Sequence, residues 1–430
     1  MRQRAKVTLS SDAVRGPWVH GDPIVVFGDD WGRSVSTMQH LFRHIALDHP
    51  VIWVNAIGHR PPSLTLADAR RAWEKVRAMA RPRDMKGSGL SGGGVPLAVI
   101  EPRVLPWHNV RPIHALNTYA LLRVLRSNLN RQGLTRSPAL VTGSPPSVGV
   151  VGRLGEAASV YLCMDDFLNF PGVSARMIRP LEGRLLQKVD GVVATAKSLT
   201  VSKRPASGRA YHLPQGVNYE HFSIPRPEPA DLAPIPHPRI GFAGTLGEAC
   251  DLALLRRVAE VFDRCSVVLV GMITAKQADI EKLKRPNIHF LGARPYGDLP
   301  AYVQAFDVGI IPYVLSDYTK AVDPLKLLEY LAAGLPVVAS AIPEAQKYAD
   351  HIAVAGNADA FVEAVGVALR VNRASVREQG QAVARQNTWE RRSDELIGII
   401  VELARRRAAG SLLSSAQGPS GTSGNPALAV

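Results

Sequence analysis

The chain has 430 residues, 46% hydrophobic and 20% charged, with a formal net charge of +14. That length suits two ordinary globular domains. No apolar run reaches the roughly 18 residues of a membrane span, so no transmembrane helix is expected, and the basic surplus favours anionic partners.

The start, Met1 to Val7, lacks the apolar stretch of a secretory signal. Cys163, Cys250 and Cys265 are too far apart to suggest a metal site or a disulfide framework. A reducing, cytoplasmic setting fits them. Stacking-aromatic and zinc-finger patterns are not seen, so nucleic acid is not expected as a partner.

In chain order, residues 1–20 are polar and loose. Ile24–Phe27 is a buried strand. It opens onto Gly28-Asp29-Asp30-Trp31-Gly32-Arg33, then a helix over about 36–47. A glycine-bearing turn between strand and helix is the usual ligand position of a parallel sheet. The Gly-x-Gly-x-x-Gly dinucleotide fingerprint is not present there. Val51–Asn55 is the next strand, followed by Gly58-His59-Arg60. Residues 67–86 are helix-prone and basic, with Trp73, Val76 and Ala80 as a small apolar stripe. Either a membrane-surface helix or a solvated helix accounts for them. Residues 87–94 are a Gly/Ser loop.

Strands follow at 97–100 and 139–142, with a helix over 114–130 between them. Ser159–Met164 is a strand that runs into Asp165-Asp166. Carboxylates at a strand's C-terminal end face the ligand crevice of an open sheet. One of them serves either as a general base or as a cap of the next turn, with Asp165 ahead because it is closer to the strand. A helix over 176–188, a strand over 191–195, a helix from Lys197 and a strand from Tyr211 complete the first half. Pro225, Pro227, Pro229, Pro234, Pro236 and Pro238 then make residues 223–238 a semi-rigid linker.

The second half restarts the pattern. Arg239 begins a strand that ends in Gly244-Thr245-Leu246-Gly247, ahead of a helix over 252–261. Those glycines would let backbone N–H groups approach a diphosphate. Strands at 267–271, 287–292 and 308–313 follow, with a turn at Arg294 and a helix from Leu299. Arg294 is either a phosphate contact or a solvated turn residue. Asp323 is read as an N-cap, with Pro324 at the first helical position. The helix carries Leu325, Leu328 and Leu331 on its core face, stops at Gly334 and leads into the strand Val337–Ala339. A helix capped in this way is a poorer anion site than the Gly244 turn. Lys326 and Glu329 lie three apart on one side of it. They are either a cation for phosphate beside a carboxylate for sugar hydroxyls, or a surface ion pair. Helices over 360–370 and 388–408 follow, the second with Trp389, Leu396, Ile399, Ile400 and Leu403 as its apolar face. From 410 the chain reads as disordered. The expected domains are 1–222, 223–238 as linker, 239–386, a helix over 387–409 that crosses back to the first domain, and a tail over 410–430.

The stretch Pro-Leu-Lys-Leu-Leu-Glu-Tyr-Leu-Ala-Ala-Gly-Leu-Pro-Val-Val-Ala-Ser at 324–340 resembles the donor-binding segment of GT-B glycosyltransferases. It is most similar to bacterial polysaccharide enzymes near glycosyltransferase family 4 and to the teichuronic-acid type. The order Asp30-Trp31-Gly32, Trp53-Val54-Asn55, Gly58-His59-Arg60 is similar to their first half. Val268 to Gly271, Asn287 to Gly292, Leu299 to Tyr302 and Asp307 to Tyr313 are similar, in that order, to their second.

The resemblance implies an α/β fold of two Rossmann-like, doubly wound domains facing across a cleft. It implies a metal-independent hexosyltransferase-like enzyme without a cofactor, acting on a nucleotide diphosphate sugar and a glycan or lipid-linked acceptor in surface polysaccharide synthesis. Asp30, Trp31, Gly32 and His59 would lie on the acceptor side, with Asp165 or Asp166 as base. Gly244, Thr245, Gly247, Arg294, Asp323, Lys326, Glu329 and Glu344 would face the donor, Glu329 at the ribose and Lys326 at a phosphate. The place would be cytoplasmic, peripheral on the inner face of the membrane. Ala321 departs from the family, which has a Glu there, and Asp323 is its candidate substitute. Gln215 and Asn218 replace an Asn and an Asp in the exit turn of the first half. A GT-B epimerase and a non-catalytic scaffold stay open as alternatives.

Overall fold

Ile24–Phe27 (β1) is buried along its whole length, as are most of the strands that follow it. Continuous burial means cover on both faces, the property of parallel sheets flanked by helices. A computed structural model of the protein describes residues 18–33, 35–58 and 93–416, with the side chains of 411–416 excepted. His59, the basic stretch 67–86, most of the 87–94 loop and the tail from 417 lie outside the described residues.

After β1 come α1 (Thr37–Ile45), β2 (Val51–Val54), β3 (Ala98–Ile100), α2 (Arg111–Arg131), β4 (Ala139–Thr142), β5 (Ala158–Cys163), α3 (Ala175–Leu186), β6 (Gly191–Ala194), α4 (Lys197–Ser202), β7 (Ala210–His212) and α5 (Tyr219–Ser223). The second half holds β8 (Arg239–Ala243), α6 (Leu252–Val261), β9 (Ser266–Val270), α7 (Gln277–Leu283), β10 (Ile288–Gly292), α8 (Leu299–Gln304), β11 (Val308–Ile311), α9 (Leu325–Ala332), β12 (Val337–Ser340), α10 (Pro343–Gln346), β13 (Ala353–Ala355), α11 (Ala358–Ala368), α12 (Arg373–Gln386) and α13 (Trp389–Ala416).

The first sheet runs β3-β2-β1-β4-β5-β6-β7 and the second β10-β9-β8-β11-β12-β13, parallel throughout. Each reverses its winding direction once, between β1 and β4 and between β8 and β11. Ligands of doubly wound sheets sit outside the strand ends at that reversal.

Residues just beyond the strand ends of one sheet meet their counterparts of the other. The Gln215 amide donates to Asp323 Oδ2 at 2.9 Å, and the Lys197 amide to Glu344 Oε1 at 2.8 Å. Phe170 lies edge-on to Tyr318 at 5.4 Å. The two ligand crevices therefore face each other.

The proline-rich linker is tied to the second domain. Arg239, buried at the start of β8, donates to the carbonyls of Leu232 and Ile235 and to Glu228. Leu232 and Ile235 belong to that domain's core. The chain returns through α13. Its Trp389, Leu396, Ile400 and Leu403 join the core under β1, and Ser393 Oγ donates to the Leu41 carbonyl of α1. The crossing helix thus completes the first domain's core and ties the two ends of the molecule together. Among the described residues no helix is long and apolar enough to cross a membrane.

Candidate functional site

The site is built where α9 meets the turn after β8. Asp323 does not cap α9. Pro324 holds the N-cap position without a side-chain bond, because the Asp323 carboxylate is turned away to the Gln215 amide. Burial pushes Asp323 up to about 6. The carboxylate thus makes a contact between the domains. The capping pattern is the reverse of the expected one. It is α6 that is capped by an acid, with Asp251 accepting from the Leu254 amide at 2.9 Å. In α9 the Leu327 amide donates to the Pro324 carbonyl, while the Leu325 and Lys326 N–H groups have no protein acceptor among the described residues and keep the helix's positive end open.

Lys326 stands in that first turn. Its Nζ donates to Tyr313 Oη at 2.5 Å and lies 5.1 Å from the Phe242 ring centroid. A Cβ on Gly244 would meet Lys326 Cε at 2.7 Å. Glycine at 244 is what lets the lysine lie across the turn. No ion pair is formed between Lys326 and Glu329, so the surface-pair alternative does not hold. Next to Lys326, Gly244 N–H donates to Val270 and Leu246 N–H to Met272. The N–H groups of Thr245 and Gly247 have no protein acceptor among the described residues. A cation, two turn amides and an uncapped helix end thus converge.

Glu329 lies one turn further along α9 and is 7% exposed. Its carboxylate has no hydrogen-bond partner among the described residues. Burial pushes it up to about 7, against the pull of Lys326. Its charge in turn helps to raise the buried Tyr296 phenol, after burial itself. An acceptor of this kind, buried and unpartnered, is prepared for a ligand's hydroxyl groups. Tyr296 also packs against His40 of the first domain at 5.3 Å, so Glu329 stands beside the gap.

Two other expected donor contacts are engaged elsewhere. Arg294 is bound to Asp231 of the linker and lies over Tyr302, so its guanidinium already has a carboxylate partner. Glu344 is 1% exposed. It accepts the Lys197 amide and pairs with Lys347, so it joins the domains rather than lining open space.

The first domain presents Asp165 and Asp166 beyond β5. Asp166 is not available as a base. Burial raises its pKa, but Lys203 at 2.8 Å and Asn169 at 2.6 Å outweigh that and hold it below the usual carboxylate range. Lys203 is itself buried and also bridges Glu182. Asp165 keeps its carboxylate without a hydrogen-bond partner among the described residues. Burial, and then the Asp166 charge, push it up to about 6. It faces Tyr318 of the second domain, whose phenol is raised by burial and by the Asp165 charge.

Asp30, Trp31 and Gly32 lie past β1, at the first sheet's reversal. Gly32 has φ +78° and donates to Gln39 Oε1. The Trp31 amide donates to Asn55, and its ring stands edge-on to Trp53 at 4.8 Å. Asp30 accepts from Ala56 N and pairs with Arg33. Tyr313, Phe242, Tyr296 and Tyr318 were not singled out in the sequence. The signal for Tyr313 was its place directly past β11. A cavity of about 630 Å³ lies behind the Gly247 turn, lined by Asp251, Arg256, Lys276 and Leu283, and neither Lys326 nor Glu329 borders it.

Residues 237–370 match the family described as Glycosyl transferases group 1. That match lies within the second half of the chain, from the end of the linker through α11. The chain is 32% identical over 181 residues to TuaH of Bacillus subtilis (strain 168), named as a candidate glycosyltransferase of teichuronic acid biosynthesis. That match covers 40% of this chain and 45% of TuaH, less than half of either protein. Among solved structures, sucrose-phosphate synthase of Thermosynechococcus elongatus superposes with a TM-score of 0.63 at 16% identity, over 89% of this chain and 99% of that one. Anabaena HepE in complex with UDP and glucose gives 0.61 at 13% identity, over 89% and 100%. An E. coli trehalose-6-phosphate structure bound with UDP-2-fluoro glucose gives 0.61 at 12%, over 88% and 99%. At such identities the likeness is one of fold, and the fold is GT-B.

Proposed function

We propose that the protein is a glycosyltransferase that moves a sugar from a nucleoside diphosphate sugar to a glycan or lipid-linked acceptor in bacterial surface polysaccharide synthesis. It works at the cytoplasmic face of the membrane. The observation that carries the reading is the convergence of the uncapped α9 terminus, Lys326 and the Thr245 and Gly247 amides beside the unpartnered Glu329 carboxylate.

In this reading the diphosphate lies between the Gly244 turn and α9, and Glu329 accepts from the ribose hydroxyls. As the bond from the anomeric carbon to the diphosphate breaks, negative charge grows on the leaving oxygen. Lys326 and the amides already face that charge, so little reorganisation is needed. The transfer needs no cofactor, with the nucleotide sugar as co-substrate. For an inverting course, Asp165 takes the proton of the acceptor hydroxyl as its oxygen bonds to the anomeric carbon. A pKa near 6 leaves most of it ionised at neutral pH and still basic enough for the transfer.

Calorimetry with a panel of nucleotide sugars, followed by product analysis with and without acceptor glycans, tests the proposal. One sugar nucleotide should bind, and nucleoside diphosphate should be released only when acceptor is present. Interconversion of sugars without acceptor would mark an epimerase, and absence of uptake across the panel would mark a scaffold.

A further inference from the structure

We propose that the outer face of α2, together with the loop before it, docks on an anionic lipid bilayer. The idea takes its purpose from the lipid-linked acceptor of the preceding reading, but its evidence is separate. Pro112, Leu116, Tyr119 and Arg123 follow one another at helical spacing along the outside of α2. Leu121, Leu122, Leu125 and Leu129 on the other side are buried in the first domain's core. Leu116 and Tyr119 are 57% and 66% exposed, and Leu105, Trp107 and Val110 of the preceding loop are 43%, 45% and 41% exposed.

Loop and helix form one surface. Asn117 Nδ2 donates to the Leu105 carbonyl at 2.8 Å, and the Leu105 amide returns a bond to Asn117 Oδ1 at 2.9 Å. The loop leaves the C-terminal end of β3, so this surface borders the gap-side rim of the first domain.

The charge decides the occupant. From Pro102 to Gly155 the sequence contains seven arginines and neither Asp nor Glu. Arg111, Arg123, Arg126 and Arg131 on α2 are exposed, and none has a carboxylate partner among the described residues. A second copy packed through the same surface would set arginines against arginines, because a two-fold contact is made of one patch twice. An anionic bilayer instead offers phosphate to the arginines, the headgroup boundary to Trp107 and Tyr119, and acyl chains to the leucines. Docked there, the bilayer would hold a lipid-borne acceptor at the mouth of the gap.

The test is co-sedimentation of the full chain with vesicles of phosphatidylcholine, alone or mixed with phosphatidylglycerol, alongside sedimentation velocity and a nucleotide titration. The intact protein should bind the anionic vesicles, and less so as salt rises. The combined variant W107S/L116S/Y119S should lose about tenfold or more of that partition, with its melting curve and nucleotide affinity unchanged. R111Q/R123Q should lose the preference for anionic over neutral vesicles. Unchanged vesicle binding by the triple variant would overturn the proposal, because another segment would then hold the protein. So would an intact protein that ignores both vesicles, or a dimer that the triple variant abolishes. A chain that binds vesicles through this face yet takes up no nucleotide would uphold the docking surface and overturn the transferase reading alone.

Discussion

The two lobes treat their polar groups in opposite ways. In the second lobe, groups at the gap are left without protein partners among the described residues: the Thr245 and Gly247 amides, the Leu325 and Lys326 amides that open α9, and the Glu329 carboxylate. In the first lobe, most carboxylates near the gap are consumed. Asp29 is held by Ser36 and Gln39, Asp30 by Ala56 N and Arg33, and Asp166 by Lys203 and Asn169. Asp165 is the exception. A buried polar group without a partner costs stability, so a lobe that keeps several of them is held ready for a ligand. The first lobe ties up its other gap-side carboxylates and leaves Asp165 as the unpartnered one among the described residues.

The largest break in this contrast comes from the open groups. Lys326→Ala should lower turnover about 10²–10³-fold, the usual loss when one donor to a developing charge is removed, measured as initial rates with the fold checked by circular dichroism. Asp165→Asn should cost about 10²-fold or more in kcat, and the wild-type rate should fall as pH drops below about 6, where this carboxylate takes up its proton. Asp166→Asn should act differently. It leaves the buried Lys203 short of a counter-charge and should lower stability by about 3 kcal/mol, with near-normal turnover in the folded fraction.

Glu329 sharpens the comparison through pH. Its folded pKa, near 7, lies above the ordinary carboxyl value. Between those two values the folded state therefore holds more protons than the unfolded one, and this group's contribution to stability falls as pH rises through the window. Glu329→Gln should consequently exceed wild type at pH 8 in unfolding free energy from denaturant titration, by an amount on the order of 3 kcal/mol. That advantage should fade towards pH 4, where Glu329 is protonated in both states, and nucleotide affinity should be lost throughout. The smallest effect is expected from Arg294→Ala. Since Asp231 already occupies the guanidinium, nucleotide affinity by calorimetry should stay within about twofold, as for a partly exposed pair.

Much of the architecture was legible because buried strands and amphipathic helices leave continuous or periodic apolar signals. Leu252–Val261 is helical over the expected residues. Elements with little buried surface left no such signal. α12 buries Gly380 and Ala384, and α7 buries Ile280 and Leu283. β13 is a three-residue edge strand, partly exposed. Their sequences match turns as well as they match helix or strand.

At the site, chain-local reasoning placed Lys326 and Glu329 together on one side of α9 because their spacing is local. It missed the partners of Asp323, Arg294 and Glu344 because those partners are distant in sequence. Gln215 is 108 residues from Asp323, and Lys197 is 147 from Glu344. A good N-cap residue followed by proline favours a capped helix, yet the contact between domains prevailed. Asp166 differs from Asp165 only through Lys203, which nothing near the pair in sequence announces.

The most direct test of the account is calorimetric titration of free nucleoside diphosphates into wild-type protein and into Lys326→Ala. At least one diphosphate should bind the wild type, and its affinity should fall by about tenfold or more in the variant, as expected for loss of a charge-assisted contact to phosphate. Equal affinity in the two proteins would contradict it, because the diphosphate would then rest somewhere other than between the Gly244 turn and α9.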